Sequence, residues 1–485
     1  MAAPLYSHAL TVRHEQAAPP RPRPLPRTAS KPRRHAKDAA ARAVAAATRL
    51  IRSGAERSVA SVLDTQLRRM VWREHGRAVE AMLRARSLPP DRVRQLGRWF
   101  ATHGEHPNAV RFGILLLGMA GTDDDAGVLT TLGVFWAFST ACCAALTRSQ
   151  TDPHRALFDL ARRAEGWARV DAVRGLEGAS DPAIKEWLIR ESCTGDVLDS
   201  YFALTAARVG DLAGALARGT PAEAAMDGAG RLLQALTDVD GPGPALASYD
   251  DAPQALNGYL HRSTAGGVTL RRVWTLLSIH RYLQTYVGTA GREQPEWRHL
   301  RHRYARLIAD PATRQVVLDG LAGDAPATVR LAAWAAQRMD IPIRPALLRG
   351  VESAPYDGTM WFLLVDGCPG EDIAAVVAAA VRLLPLQDLR TGPTPATGLG
   401  EKDGTDGLLD MIVSRLDAHP GHGWELLETA LDNRTSRNRR MALRAIRAWP
   451  ADALPPQARG ILLAAAEKEP LPELRAEMES EAARL

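Results

Sequence analysis

Hydrophobic residues recur along this chain at the spacing of amphipathic helices, and the predicted helices themselves recur at a longer, regular interval. Four aspartates begin predicted helices at successive steps of 29, 29 and 30 residues: Asp123, Asp152, Asp181 and Asp211. Similar segments precede the first three aspartates at a constant offset: 109–112, 138–141 and 167–170. A fixed period of about 20 to 50 residues is typical of stacked helical pairs, so the pattern predicts a helical-repeat protein.

Short signals mark where individual helices begin. Asp152-Pro153, Asp181-Pro182 and Asp310-Pro311 each place an aspartate before a proline. An N-cap carboxylate accepts a hydrogen bond from a free backbone N–H, and proline at the first helical position has no N–H to leave unpaired. No segment shows a convincing strand pattern, so the predicted fold class is all-α.

Changes in composition along the chain predict six segments. The front end is rich in proline and arginine, and it has too little apolar surface to offset the entropy of ordering. Clusters of glycine and proline interrupt the helical pattern further on. The predicted segments are a disordered Pro/Arg-rich arm over 1–37, a basic helical region over 38–104, helical repeats over 105–256, further helical repeats over 257–387, a Gly/Pro-rich loop over 388–405, and C-terminal helical repeats with a cap over 406–485.

Three segments carry a resemblance to a known repeat. Val-Arg-Leu-Ala-Ala-Trp-Ala at 329–335, and the sequences at 170–176 and 440–446, resemble the second half of HEAT-type repeats. The step of about 29 residues is similar to that of the HEAT-like repeats first named in phycobilin lyases, and the likeness covers 105–218 well and 310–470 loosely. It implies an α-solenoid, a right-handed superhelix of helical pairs. It implies no lyase activity, because repeat similarity is structural and no site residues match.

Charge is distributed unevenly. Residues 1–100 contain 21 Lys/Arg against 7 Asp/Glu, a net +14, whereas the remainder contains 40 against 48, a net −8. This asymmetry predicts either an anionic partner for the front end or docking of that end on the chain's own body. Only five of the basic residues are lysines, and the abundance of Ala, Gly and Pro indicates a GC-rich bacterial genome, so the arginine content by itself is a weak functional signal.

The four cysteines form neither a disulfide framework nor a zinc knuckle, and the chain has no long apolar run. A reducing, cytoplasmic location fits this pattern. Three His-x-x-His pairs occur without accompanying metal ligands: His103/His106, His299/His302 and His419/His422. Asp123-Asp124-Asp125 lacks the rest of a calcium loop, and capping with the helix dipole explains it. We therefore predict no metal site, no cofactor and no catalytic residues.

The candidate binding residues are arginines of the basic helical region. Two tryptophans, Trp72 and Trp99, lie among them, which suits phosphate contacts and base stacking. The alternative is that the arginine heads are solvated and the tryptophans belong to the core. The candidate nucleic-acid-binding residues are Arg68, Arg69, Arg73, Arg77, Arg94 and Arg98. The Pro/Arg-rich segment 19–34 has three interpretations: a polyproline ligand, an arm that follows phosphates, or an inert tail.

These observations favour a non-enzymatic scaffold that binds a protein or peptide. The first alternative is a nucleic-acid-binding protein that uses the basic residues 21–98. The second is a DNA-repair glycosylase of HEAT-like architecture, in which Trp, Asp and Arg side chains form the site. The tryptophans considered for that site, or for packing between helices, are Trp136, Trp167, Trp187, Trp274, Trp334 and Trp361.

Overall fold

The structure of the protein is a computed structural model that describes residues 5–7, 36–53, 57–218, 223–238, 241, 246–265, 267–287, 295–397 and 404–485. All regular structure in these ranges is helical, which confirms the all-α prediction for the described residues. The predicted disordered arm over 1–37 lies outside them except for 5–7 and 36–37, which are helical. No helix in the described ranges is long and apolar enough to cross a membrane.

The chain divides into two compact units, the first formed by Met1–Gly267 with Ser278–Tyr304 and the second by Val268–Leu277 with Ala305–Leu485. The helices of the first unit are α1 Ala36–Ser53, α2 Arg57–Arg69, α3 Trp72–Arg84, α4 Pro90–His103, α5 Pro107–Ala120, α6 Ala126–Gly133, α7 Trp136–Ser149, α8 Pro153–Ala161, α9 Gly166–Arg174, α10 Pro182–Arg190, α11 Ala203–Gly210, α12 Leu212–Ala217, α13 Glu223–Leu236 and α14 Ala252–Ala265.

Two helices contribute residues to both units, α15 Leu270–Tyr282 and α16 Pro295–Ile308. The remaining helices belong to the second unit. They are α17 Pro311–Ala322, α18 Pro326–Gln337, α19 Arg344–Ser353, α20 Gly358–Val365, α21 Ile373–Leu383, α22 Leu386–Leu389, α23 Gly404–Val413, α24 Trp424–Leu431, α25 Ser436–Ala448, α26 Ala458–Lys468 and α27 Pro472–Arg484.

Helices of the first unit pack in sequential pairs. Helix α4 packs on α5, α6 on α7, α8 on α9 and α10 on α11, and the second helices of successive pairs also contact one another in order. Helices α2 and α3 cover α5, the second helix of its pair. Going along the chain, α7 and α9 are therefore the first helices in that second position that have an exposed face. The 29-residue step therefore corresponds to one helical pair.

The predicted helix starts are formed by the expected caps. The carboxylates of Asp152, Asp181 and Asp310 accept hydrogen bonds from backbone amides in the first turns of α8, α10 and α17. Asp211 caps α12 from a left-handed backbone conformation, with φ of 54°. Asp123, the first aspartate of the series, begins a short 3-10 helix, Asp123–Asp125, that precedes α6. Its N-cap is Thr122, which forms a capping box with Asp125.

Helices α4 and α5 approach each other closely. A Cβ atom on Gly113 would overlap the backbone nitrogen of Ala101 and would lie 2.7 Å from the carbonyl oxygen of Gly97. Glycine at position 113 therefore allows the two backbones to touch. Phe100 and Phe112 meet edge to face beside this contact, with ring centroids 5.6 Å apart.

Ion pairs join contacting helices of the second unit. Arg330 of α18 pairs with Asp357, the N-cap of α20; Asp410 of α23 pairs with Arg437 of α25 at 2.6 Å; and Arg447 pairs with Glu477 of α27 at 2.9 Å. Within the predicted loop 388–405, residues 388–389 and 404–405 are instead helical and belong to α22 and α23. The described segment between them, 390–397, runs beside the turn between α24 and α25. Backbone hydrogen bonds attach it there, including Gly392 N–H to Asp432 O at 3.0 Å.

Candidate functional site

Three of the six candidate arginines form ion pairs with carboxylates of the chain. Arg68 pairs with Asp64 at 2.5 Å and lies 3.6 Å from Glu105. Arg94 and Arg98 both pair with Asp125, at 2.6 and 2.8 Å. These contacts use the guanidinium groups within the fold, so the three side chains are less available to phosphates than the sequence suggested.

The other three candidates, Arg69, Arg73 and Arg77, are exposed. None has an ion pair or side-chain hydrogen bond within the described part of the chain. Arg73 and Arg77 are four residues apart on α3 and therefore share a face of that helix. Trp72 is half-buried against the core, whereas Trp99 is exposed and stacks on His103 at a centroid distance of 5.6 Å.

Asp125 is the centre of a cluster of hydrogen bonds and ion pairs. Its side chain has no exposed area and accepts hydrogen bonds from Arg94, Arg98 and the Thr122 amide. Burial by itself raises the pKa of Asp125, but these three donors outweigh burial and hold the pKa below its usual value. Asp123 instead accepts two bonds from Thr151, and Asp124 points mainly to solvent.

His106 and the cysteines Cys142, Cys143 and Cys193 are buried within the fold. His106 is the N-cap of α5 and accepts the Asn108 amide, and burial lowers its pKa. Burial raises the pKa of Cys143 to about 12 and raises those of Cys142 and Cys193. No group of three or more His, Cys, Asp or Glu side chains in the described ranges has the geometry of a metal site.

The six tryptophans considered for packing differ sharply in exposure. Trp187 and Trp361 are buried core residues, and Trp274 and Trp334 are half-buried against the core of the second unit. Trp136 and Trp167, in contrast, are 68% and 43% exposed. Both belong to the first turns of second helices, α7 and α9.

Trp136 and Trp167 lie on two helices, α7 and α9, that contact each other and are joined by hydrogen bonds. Thr140 and Asp171 each follow one of these tryptophans by four residues, on the same face of its helix. The Thr140 hydroxyl donates to Asp171 Oδ2 at 2.8 Å, and the Ser139 hydroxyl donates to the same oxygen at 2.5 Å. Trp136 and Trp167 therefore each lie one turn before a residue of the contact that joins α7 to α9. We call Trp136, Thr140, Trp167 and Asp171 the tryptophan face.

Further contacts hold the tryptophan face in place. The Trp167 ring meets Tyr201 edge to face, with centroids 4.5 Å apart. Arg169, two residues along α9, donates to the Ser192 carbonyl at 2.9 Å and stacks over Trp187. Arg111 of α5 reaches the Ala137 carbonyl at 3.4 Å from the preceding second helix. Both arginines thus join a second helix to a backbone carbonyl of the next repeat.

Two further carboxylates, Glu165 and the buried Asp199, lie close in sequence to Trp167 and Tyr201. Glu165 immediately precedes α9, and Asp199 lies two residues before Tyr201. Burial raises the pKa values of both groups, and for Asp199 the Gly195 and Thr194 amides oppose that shift. Asp171 has no ion-pair partner among the residues that the structure describes.

Sequence patterns alone missed the tryptophan face. Trp136 and Trp167 are 31 residues apart, close to the repeat step, so their equivalence was detectable. Their exposure and the Thr140–Asp171 contact were not, because both depend on how α7 packs against α9. Comparisons with protein-family models, with curated proteins and with solved structures find no match to this chain.

Proposed function

We propose that this protein is a non-enzymatic scaffold, a right-handed superhelix of HEAT-like helical pairs that binds a protein or peptide partner. The sequential pairing of helices and the 29-residue step support the superhelix. Such repeat arrays offer extended surfaces formed by equivalent helices. The tryptophan face belongs to two such helices and is the proposed contact surface.

The exposure of Trp136 and Trp167 is the observation that carries this proposal. Large aromatic side chains are usually buried, and Trp and Tyr supply much of the binding energy at protein interfaces. Here two tryptophans remain exposed on rigid helices, in a protein with only 5% aromatic residues. Little conformational entropy is lost when a partner binds such a preorganised surface.

A peptide selection tests the proposal. A phage-displayed peptide library is selected on the full chain, and the enriched peptides are measured by fluorescence anisotropy. We expect Trp136→Ala with Trp167→Ala to weaken binding by about tenfold or more, as for interface hot spots. Trp99→Ala is the matched control, because Trp99 is 45% exposed but lies on α4, a first helix. Equal binding by both variants, or no enrichment, would refute the proposal.

Nucleic-acid binding is the second candidate, and the exposed Arg69, Arg73 and Arg77 favour it. Each phosphate contact releases counterions, so binding would weaken steeply as salt increases. A gel-shift titration with mixed DNA and RNA at two salt concentrations compares the full chain with the Arg69→Ala, Arg73→Ala and Arg77→Ala triple variant. Identical shifts by both chains would exclude these arginines as the contact.

A repair glycosylase is the third candidate, favoured by the presence of two tryptophans and one aspartate on a single exposed face. The net negative charge of residues 101–485 opposes DNA docking there. Base release from alkylated duplex DNA, compared between the full chain and Asp171→Asn, tests this activity. Release by neither chain would exclude it.

A further inference from the structure

We propose that the tryptophan face binds a proline-rich segment of a partner protein in the polyproline II conformation, with an arginine of that segment paired to Asp171. The inference rests on the proposed scaffold function and names the chemistry of the partner. Its occupant is a segment of another protein.

The spacing of the two helices fits this conformation. Neighbouring packed helices have axes about 8–10 Å apart. Trp136 and Trp167 lie on two such helices, each one turn before a residue of the Thr140–Asp171 hydrogen bond. A polyproline II helix repeats every three residues, over about 9 Å. Two prolines three residues apart can therefore each contact one indole when the segment crosses the two helices.

The chemistry of the surface also suits proline. Polyproline II segments dock on aromatic-lined grooves and lose little entropy, because they are already extended before binding. The Trp167 ring is supported by Tyr201, and its position does not depend on the partner. Extended segments of this kind keep their backbone solvated, so a flat face without backbone donors is sufficient.

Asp171 provides the charge specificity. Both hydroxyl groups that bind it, of Ser139 and Thr140, donate to Oδ2, and Oδ1 accepts no hydrogen bond among the described residues. A guanidinium group next to a bound proline can therefore donate to Oδ1. The net −8 of residues 101–485, with Glu165 close by, favours a basic segment over an acidic one.

Designed peptides test the inference on the full chain. The probe is a fluorescein-labelled peptide of repeated Pro-Pro-Arg units, measured by anisotropy. A Gly-Ser-Arg repeat has the same charge without proline, and a Pro-Pro-Glu repeat has the same prolines with the opposite charge. We expect both controls to bind more weakly by about tenfold or more.

Variants assign the contacts. Trp136→Ala with Trp167→Ala should abolish binding of the Pro-Pro-Arg peptide, and Asp171→Asn should weaken it by about tenfold. Asp171→Asn retains an acceptor for Thr140, and Trp99→Ala serves as the surface control. Equal binding of the Pro-Pro-Arg and Gly-Ser-Arg peptides, or no effect of Asp171→Asn, would overturn the inference.

Two outcomes separate this inference from its premises. If library peptides need the tryptophans but the Pro-Pro-Arg peptide does not bind, the scaffold proposal stands and this inference falls. The chain's own proline-rich segment is the competing occupant. The test is to change Pro19, Pro20, Pro22, Pro24 and Pro26 to serine in the full chain. If this raises the affinity for the probe by about tenfold, the chain's own segment occupies the tryptophan face, and the proposal that a partner's segment binds there is overturned.

Discussion

Arg439 and Glu469 form an ion pair in which neither side chain has any exposed area. Arg439 Nε donates to Glu469 Oε2 at 2.6 Å and Nη2 donates to Oε1 at 2.9 Å. The remaining guanidinium hydrogens bind the carbonyl oxygens of Asn433, Arg434 and Thr394. One buried arginine thus connects α25, the segment before α27 and the described part of the 388–405 loop.

We expect Arg439→Ala to lower the free energy of unfolding by about 3–5 kcal/mol, because it leaves the Glu469 charge buried without a partner. Arg444→Ala is the matched control on the same helix. Its pair with Asp417 is half-exposed, so its loss should lower the free energy by no more than about 1 kcal/mol. Urea denaturation of the full chains measures both values. Equal midpoints would contradict the structural role of Arg439.

The Asp125 cluster should make stability depend on pH in the acid range. Because the folded-state pKa of Asp125 lies below the reference value of 3.8, its contribution is present above that pH and is lost as pH falls through the folded-state pKa. We expect Asp125→Asn to lower the free energy of unfolding by about 1–3 kcal/mol near neutral pH.

That difference should shrink below about pH 4, where the Asp125 carboxylate of the unfolded chain begins to bind a proton while the folded-state carboxylate does not yet do so. Thermal melting of both chains across the acid range measures it. Asp124→Asn is the control, because the Asp124 side chain is 81% exposed. If the difference in unfolding free energy between the wild type and Asp125→Asn did not depend on pH, the charge of Asp125 would not contribute to stability.

Two glycine substitutions, one in the contact between α4 and α5 and one in α6, should change the stability in opposite directions. Gly113→Ala forces the helices apart, so we expect a loss of about 1–3 kcal/mol in unfolding free energy. Gly127→Ala in α6 meets no atom within 4 Å, and the gain in helix propensity should stabilise the chain by about 0.5–1 kcal/mol. Chemical denaturation distinguishes the two. If Gly113→Ala left the free energy of unfolding unchanged, α4 and α5 would pack less closely than they do in this structure.

The cysteines should be unreactive in the folded protein. All four are buried, and burial raises their pKa values, so little thiolate forms at about pH 8. We expect Ellman's reagent to label the native chain slowly and to label four thiols after denaturation. Cys368 should react first among them, because it lies outside a helix, just after α20, and is less deeply buried than Cys193, the other cysteine outside a helix. Rapid labelling of Cys142 or Cys143 would argue against their buried positions in α7.

Much of the local structure was predictable from the sequence. Asp152 and Asp181 cap helices where the Asp-Pro pairs indicated, and the 29-residue step corresponds to helical pairs. Capping depends on atoms two or three residues apart, so a local pattern determines it. The candidate site was less predictable: the Arg/Trp pattern in 68–98 did not distinguish Arg94, which holds Asp125, from Arg73, which is exposed.

The sequence by itself determined the helices, their caps and their repeat, because these depend on propensity and short-range hydrogen bonds. Only the tertiary structure decided which side chains are used inside the fold and which remain exposed. Asp125 is 31 residues from Arg94, and Asp171 is 31 residues from Thr140, so both contacts exist only once neighbouring helices pack. Trp136 and Trp361 are both helical tryptophans, but one is exposed and the other has no exposed area, because burial depends on which helices cover each face.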